Sequence, residues 1–349
     1  MNGHLLTAGA PLLGHTPCPC CGHRAGQVLS LRDGKTAQRL LTVACSQCGL
    51  GRIDPLPTEQ ELADWYTTAY RQQYKGVERP ALRHVLRAGR QALERWRWVC
   101  AHSDVATHLQ GNPVARTLDI GASSGEFVAL MQQLGFTASG IEPHQGYASY
   151  ARQEMQLAVL SGTLRDGLTK IDDASHDLIT MFHVLEHLAE PVRALQQIGA
   201  KLTAQGVVYI EVPNGTRPGS PHYLFFRAHT LYFTGPTLRR MVQAAGLQVV
   251  SHSADDAGNL SIVACRQGGA AARRAGAACL CPLTDAHGLW QAQRQRRWLS
   301  YLWRQCRDGQ PLRKWTQRQE EKRTAAQYPH GAALLADLYQ GAMRPPGGV

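Results

Sequence analysis

No apolar run in this 349-residue chain approaches the roughly twenty residues that a bilayer-spanning helix needs. The N-terminal stretch MNGHLLTAGAPLLGHTPCPCCG has neither a basic start nor an apolar core, so it does not read as a secretory signal. Both absences point to a cytoplasmic protein. Phosphate-cradling loops are also missing: there is no G-x-x-x-x-G-K-[ST] and no G-x-G-x-x-G. The common backbone cradles for triphosphates and dinucleotides are thereby excluded. No internal repeat occurs. Acids are scarce where bases are dense. The net charge is +11, and the segment after Gly268 carries Arg273, Arg274, Arg294, Arg296, Arg297, Arg304, Arg307, Arg313, Lys314, Arg318, Lys322 and Arg323 against few carboxylates. Such an appendage favours phosphorylated partners or an anionic surface, or is simply a solvated helical face. Its Trp290, Trp298, Trp303 and Trp315 are expected to pack it onto the rest of the chain.

The apolar fraction of 44% is that of an ordinary globular protein. Ten cysteines are present, and in a reducing compartment a cluster of them means metal rather than disulfides. Cys18-Pro-Cys20-Cys21-Gly22 and Cys45-Ser-Gln-Cys48-Gly49 form two C-x-x-C knuckles if Cys20 is set aside. Four thiolates at these spacings suit tetrahedral zinc, and a closed four-Cys site is structural because no position is open to water. Cys18, Cys21, Cys45 and Cys48 are the predicted ligands. The alternating segment between the knuckles fits a hairpin, giving a zinc ribbon closed by Asp54-Pro-Leu-Pro57. Thr58-Glu-Gln-Glu61 then resembles a capping box opening a helix through Trp65, and Leu82 to His108 reads as a second helical stretch.

From Arg116 the pattern alternates strand and helix. Strand-like runs fall at 117–120, 138–142, 158–160, 178–182, 207–212, 248–252 and 261–265. Strands alternating with amphipathic helices imply a parallel sheet covered on both faces. The last two runs are too close for a crossover helix and should form an antiparallel hairpin. After a Gly/Ala-rich linker, 268–278, residues 291–327 look helical with a break near Asp308-Gly-Gln-Pro311. The tail from Met343 is expected to be disordered.

The most informative stretch is Thr117-Leu-Asp-Ile-Gly-Ala-Ser-Ser-Gly-Glu-Phe127. It reads as a buried strand, a small-residue turn and a helix start, with Gly121 and Gly125 allowing sharp turning and close ligand approach. Glu142 ends the next strand, where doubly wound sheets place an acid on the hydroxyls of an adenosine ribose. A ribose acid without a phosphate loop suits a nucleoside that carries no phosphate, and S-adenosylmethionine (SAM) is the candidate.

Leu118–Gly125, Gly140-Ile-Glu-Pro143, Asp177–His187 and Gly206–Asn214 together resemble the successive motifs of class I SAM-dependent methyltransferases, over roughly residues 116–266. With the cysteine ribbon, the Pro-Leu-Pro bridge and the helix of Tyr66 and Tyr70, the chain is similar to methyltransferases of sugar and polysaccharide pathways. The resemblance implies a Rossmann-like seven-stranded α/β sheet with an N-terminal zinc ribbon and a helical C-terminal appendage. The expected divisions are a ribbon at 1–57, a helical linker region at 58–114, the methyltransferase domain at 115–267 and a linker with a basic helical segment at 268–349. It also implies cofactor contacts from Asp119, Gly121, Ala122, Gly125, Glu142, Phe182 and His183.

The sulfonium carbon is already activated, so the protein must align a nucleophile and remove a proton. His183, Glu186, His187 and His229 are the expected catalytic groups, with Glu211 a further candidate base; a neutral imidazole suits proton removal near pH 7. Sugar C-methyltransferases carry Tyr-x-Glu-His after the fifth strand. Here His229 matches but Ala228 replaces the acid, which favours methylation at oxygen. Some related methyltransferases bind a divalent cation through Glu, Glu-His and a distal His. His183, Glu186, His187 and His229 would suit a transition ion better than magnesium. The expected function is methyl transfer to a small molecule or sugar. The alternative is an RNA methyltransferase, with nucleic-acid contacts from the basic C-terminal segment.

Overall fold

A computed structural model describes residues 7–62, 64, 79–216, 225–269, 286–294, 303, 306–307 and 309–343. Trp65, Tyr66, Tyr70 and Trp298 lie outside the described residues, as do most of the Gly/Ala-rich linker and the last six residues. Among the described residues no helix is long and apolar enough to cross a membrane.

The chain is mixed α/β, built around two sheets. The N-terminal sheet holds β1 (Pro11–Leu13), β2 (Ala25–Arg32), β3 (Arg39–Cys45) and β4 (Gly51–Ile53). The larger sheet holds β5 (Arg116–Ile120), β6 (Thr137–Glu142), β7 (Val159–Ser161), β8 (His176–Phe182) and β9 (Leu202–Pro213). It is completed by β11 (Leu247–His252) and β12 (Asn259–Arg266). Its order is β11-β12-β9-β8-β5-β6-β7. Pairing is parallel from β7 through β9, and β12 lies antiparallel between β9 and β11. This is the expected seven-stranded class I methyltransferase sheet. Strand β5 connects to β6 on one side and has β8 on the other, so the order reverses between β5 and β8. Ligands bind in the crevice beyond the strand ends at such a point.

The central strands are buried along most of their length because helices cover both faces. Leu118, Ile120, Ile179, Met181 and Ile210 are fully buried, and each such side chain contributes about 1.5–3 kcal/mol. One face is covered by α1 (Leu82–His102), α3 (Glu126–Gln133) and α10 (Gly331–Met343). The other carries α6 (Pro191–Lys201) and α7 (Gly235–Ala244). Two short helices, α2 (Val105–Gln110) and α5 (Leu164–Leu168), and α4 (Gln145–Gln153) fill the remaining connections. The expected stretch from Leu82 to His108 is thus two helices, parted where Ser103 turns its hydroxyl back onto the Val99 carbonyl.

The C-terminal segment divides. Helix α8 (Ala286–Arg294) buries Trp290, whose Nε1 donates to Gly49 O at 2.7 Å. That tryptophan therefore packs on the second cysteine knuckle. Helix α9 (Gln310–Ala325) lies along α1 through Arg87–Glu321 and Arg90–Glu320 pairs. Its Trp315, like Trp303, is more than half exposed, so these two do not make the packing contact expected of them. Helix α10 was not legible as a separate element. It enters the main core, with Leu334 and Leu335 buried and Tyr339 Oη donating to Glu126 O at 2.7 Å.

The two sheets are joined at one edge. Strand β10 (Leu231–Tyr232) pairs antiparallel with β4. Ile53 N donates to Thr230 O at 3.0 Å. The tip of the β2–β3 hairpin reaches the same segment: Arg227 N donates to Asp33 Oδ2 at 2.8 Å and Gly34 N to Phe225 O at 2.7 Å.

Candidate active site

The side expected to hold the cofactor lies at the C-terminal ends of β5 and β6. Gly121 has φ +77° and Gly125 φ +90°, conformations that a Cβ disfavours. A Cβ on Gly121 would also lie 2.4 Å from Val184 Cγ2, so the turn is in contact with the segment after β8. Gly121 N and Ala122 N both donate to Ile141 O, at 2.8 and 3.0 Å. Ser123 stands at φ +52°, an uncommon conformation for a residue with a side chain. Its N–H donates to Glu142 Oε2 at 2.8 Å, and His144 N donates to Oε1 at 2.8 Å. The Glu142 carboxylate thus ties the two turns together. Its oxygens offer about four acceptor sites, enough for ribose hydroxyls in addition. Asp119 is buried and accepts from Thr180 Oγ1 at 2.6 Å. Burial, reinforced by Glu126 and Glu142 nearby, pushes its carboxyl up to about 7, against Thr180 and Arg95. Phe182 packs edge-on against Phe127 and Tyr209, with the Arg95 guanidinium 4.2 Å from its ring centre.

The opposite side brings His183, Glu186, His187 and His229 together. His183 follows β8 directly, at φ +56°, a strained position of the kind that clusters at functional sites. Its Nδ1 lies 3.4 Å from Glu186 Oε1 and its Nε2 3.2 Å from Glu211 Oε1. Burial pulls this imidazole down, but the two carboxylates outweigh it and raise it to about 9. The two carboxylates therefore favour the charged form of His183 in the ligand-free protein. Glu211 is held ionised at about 2: burial alone would raise it, but His183 and Arg95 prevail. A carboxylate so stabilised is a poor base, which removes Glu211 from the candidate bases and makes it an anchor. His229 moves the other way, with burial holding it well below its usual value. His187 Nδ1 is 2.6 Å from Ala228 O. A carbonyl only accepts, so Nδ1 carries a proton. The two rings of His187 and His229 meet nearly edge to face, 4.9 Å apart.

Three contributors were not legible in the sequence. Arg95, on α1, donates twice to Glu211 Oε1, at 3.1 and 2.8 Å. Asn259, opening β12, bonds Glu211 Oε1 at 3.2 Å and reaches His183 Nε2 at 3.4 Å. Lys35, at the ribbon tip, places Nζ 3.5 Å from the Phe226 ring centre, and Phe226 stacks obliquely on His229. Each comes from an element remote in sequence, and an amphipathic helix or a strand start gives no local sign of such a role.

The four knuckle cysteines converge. Their sulfurs all lie within 4.8 Å of one another, with Cys18–Cys48 at 3.6 Å and Cys21–Cys45 at 3.5 Å. Gly22 N and Gly49 N donate back to Cys18 O and Cys45 O. Asp54 secures the first knuckle by accepting from His15 N and Thr16 N at 2.7 and 3.1 Å. The cluster fits a zinc ribbon.

Residues 82–252 match the family described as Methyltransferase domain. No curated protein matches the chain. Among solved structures, a SAM-dependent methyltransferase from Archaeoglobus fulgidus is 17% identical, over 57% of this chain and 99% of that one, with a TM-score of 0.40. A Thermotoga maritima SAM-dependent methyltransferase, titled a possible histamine N-methyltransferase, is 19% identical over 53% and 100%, TM-score 0.37. One from Aquifex aeolicus is 15% identical over 48% and 91%, TM-score 0.36. These scores are low; the class rests on the family match and on the sheet with its glycine turn. The chain is an enzyme of the methyltransferase class. More particularly, it is a SAM-dependent methyltransferase.

Proposed function

We propose that the enzyme methylates a hydroxyl group of a small molecule or sugar. The observation that carries this reading is the contact of Val184 with the Gly121 turn, which sets the imidazole–carboxylate cluster directly beside the cofactor side. Bound SAM supplies an activated methyl group. Glu142 and the Gly121–Gly125 turn hold it, with Asp119, Ala122, Phe182 and His183 lining the same region. The acceptor lies between the His183–His187 segment and the His229–Tyr232 segment. One imidazole would take the proton of the acceptor hydroxyl, and the methyl that bound SAM would supply would part from its sulfur, leaving S-adenosylhomocysteine. Arg95 and Asn259 fix Glu211, and Glu211 in turn orients His183. Oxygen is favoured over carbon because the residue before His229 is Ala228, which offers a carbonyl to His187 where sugar C-methyltransferases have an acid. One zinc ion on Cys18, Cys21, Cys45 and Cys48 holds the ribbon in its fold.

The test is a methyl-transfer screen over nucleotide sugars, small phenols and hydroxy acids, read as S-adenosylhomocysteine release. Turnover of hydroxyl acceptors that collapses in His229→Ala is expected. A second reading, RNA methylation, is favoured by α9, which exposes Trp315 beside Arg313, Lys314 and Arg318. Activity on RNA alone, with steeply salt-dependent binding, would replace the first reading by the second.

A further inference from the structure

The tip of the β2–β3 hairpin is held more firmly than a surface turn requires. Asp33 is buried and spends both carboxylate oxygens on main-chain N–H groups. Oδ1 accepts from Lys35 N and Thr36 N at 2.7 and 2.9 Å, and Oδ2 accepts from Arg227 N at 2.8 Å. Gly34 N donates to Phe225 O at 2.7 Å. The bonds to Oδ1 shape the turn, and the other two clamp it onto the segment that carries His229. What the clamp delivers is Lys35. Its Nζ stands 3.5 Å from the Phe226 ring centre, and that ring lies 4.1 Å from the His229 ring. Phe226 is itself fixed: its N–H donates to Tyr232 Oη at 2.9 Å, and its carbonyl accepts from the same hydroxyl at 3.0 Å. An ammonium from the far end of the ribbon is therefore stationed one ring away from a candidate base.

The charges on this side are sorted by depth. Of the acceptor-side groups described above, the carboxylates lie underneath: the Glu186 and Glu211 side chains are 1% and 10% exposed. Glu211 is further compensated by Arg95. His183, whose charged form the two carboxylates favour, is 36% exposed, and Lys35 is exposed. A molecule arriving from solvent meets these cations before it meets the acids. We infer that Lys35 is a specificity-determining residue, whose ammonium takes an anionic group, carboxylate or phosphate, on the acceptor while the acceptor hydroxyl lies at the imidazoles. The inference rests on the acceptor position proposed above. An ammonium is a compact point charge with three rotatable donors, so it suits either anion. The clamp and the Phe226 ring fix its distance from His229, which makes the spacing between anion and hydroxyl a criterion for the acceptor. A neutral molecule of the same shape gains nothing from Lys35. The ribbon thereby contributes a side chain to the site as well as a strand to its frame.

The experiment compares matched probes on the full chain with S-adenosylhomocysteine bound. Glucose phosphate is set against glucose, and para-hydroxybenzoate against para-hydroxybenzyl alcohol, with binding measured by calorimetry. The anionic member of at least one pair should bind about ten- to hundredfold tighter, the scale of one charge-assisted hydrogen bond. Which pair shows the preference separates phosphate from carboxylate. Lys35→Met keeps the aliphatic stem over Phe226 and removes the charge; it should erase the preference, and Lys35→Arg should restore most of it. SAM affinity should hold in both variants. For any probe that is methylated, the loss in Lys35→Met should fall on KM rather than kcat, which a merely structural role would not produce. Equal binding of charged and neutral partners by the wild type overturns the proposal even if a variant fails to fold. So does an undiminished preference in folded Lys35→Met, whether or not any probe is methylated. Lys35-dependent binding without methylation leaves the anion contact standing and counts against hydroxyl methylation instead.

Discussion

The two sides of the active site are assembled over very different chain distances. On the cofactor side, Ser123 and Glu142 are 19 positions apart and meet through a single strand–helix–strand unit. On the acceptor side, His187 and Ala228 are 41 positions apart, Arg95 and Glu211 are 116, and Asp33 and Arg227 are 194. The first is a local device of the fold, made largely of main chain, one small-residue turn and the turn after β6. The second exists only after the ribbon, α1, the end of β8, β10 and β12 have all docked. A cofactor shared by a whole enzyme class can be held by the former, whereas on the reading proposed above acceptor choice falls to the latter.

If that division is right, the acceptor side can be destroyed while the cofactor side is left intact. The largest effect is expected from His229→Ala. Loss of a general acid–base group lowers turnover by about a hundred- to ten-thousand-fold. Affinity for SAM, measured by calorimetry, should stay within about threefold, because His229 packs against Glu186, His187, Phe226 and Tyr232, and sites without shared partners act nearly independently. Near wild-type turnover in His229→Ala, His183→Ala and His187→Ala alike would mean that proximity alone drives the reaction and that the acceptor lies elsewhere.

The reverse separation comes from Glu142→Ala. The carboxylate accepts from Ser123 N and His144 N at 2.8 Å as well as from the expected ribose. Charge-assisted hydrogen bonds contribute about 1.5–3 kcal/mol each, so affinity should fall about a hundredfold or more. The variant should also unfold at lower temperature, since two part-buried N–H groups lose their acceptor. Unchanged affinity in calorimetry would sink the ribose assignment, whatever the effect on stability.

The same contrast in chain distance decides what could be read before folding. The motif at Leu118–Gly125 with Glu142 states its own geometry, because the strand, the turn and the acid follow from local residue types. The seven strands were visible for a similar reason: buried parallel strands are short apolar runs bounded by turn residues. The knuckle cysteines carry their spacing in plain sight. Arg95 carries nothing comparable; on a 21-residue amphipathic helix it is one of several arginines until Glu211 is brought beside it. Lys35 and Asp33 look like ordinary hairpin-tip residues. Ala228 is instructive in the other direction. As a side chain it is a missing acid, yet its carbonyl holds a proton on His187 Nδ1, and no sequence pattern announces the use of a main-chain oxygen.

A ribbon that builds the acceptor side should damage that side alone when it is lost. Cys45→Ser removes one of the four sulfurs and should release metal. Strand β4 then loosens its pairing with β10, and the segment carrying His229 loses Ile53 N and Asp33 as anchors. Turnover is expected to fall about tenfold or more, while SAM affinity changes by less than about threefold, an approximate additivity for distant sites. Equal losses in both would show the ribbon to be a general stabiliser. Retained turnover with the metal gone would show that β10 holds its position unaided.

The smallest effect is a pH dependence on the cofactor side. Asp119 is raised to about 7, first by burial and then by the neighbouring Glu126 and Glu142 charges. Its folded value lies above its unfolded value of 3.8, so its stability contribution is present below pH 3.8 and is lost as pH rises through about 7. In the ligand-free protein Asp119→Asn should therefore gain thermal stability relative to wild type at pH 8, with the difference vanishing near pH 4. Asn can still accept from Thr180 Oγ1, which keeps the comparison clean. SAM carries net positive charge, and a cation placed at this turn favours the carboxylate. Binding should then release a proton, and affinity should rise about three- to tenfold between pH 6 and 8. In Asp119→Asn that slope should disappear. A wild-type affinity flat across this range would show that the cofactor does not feel the Asp119 charge. Asp119 would then serve the turn only through its 2.6 Å bond from Thr180, and recognition of the cation would fall to the backbone and Glu142.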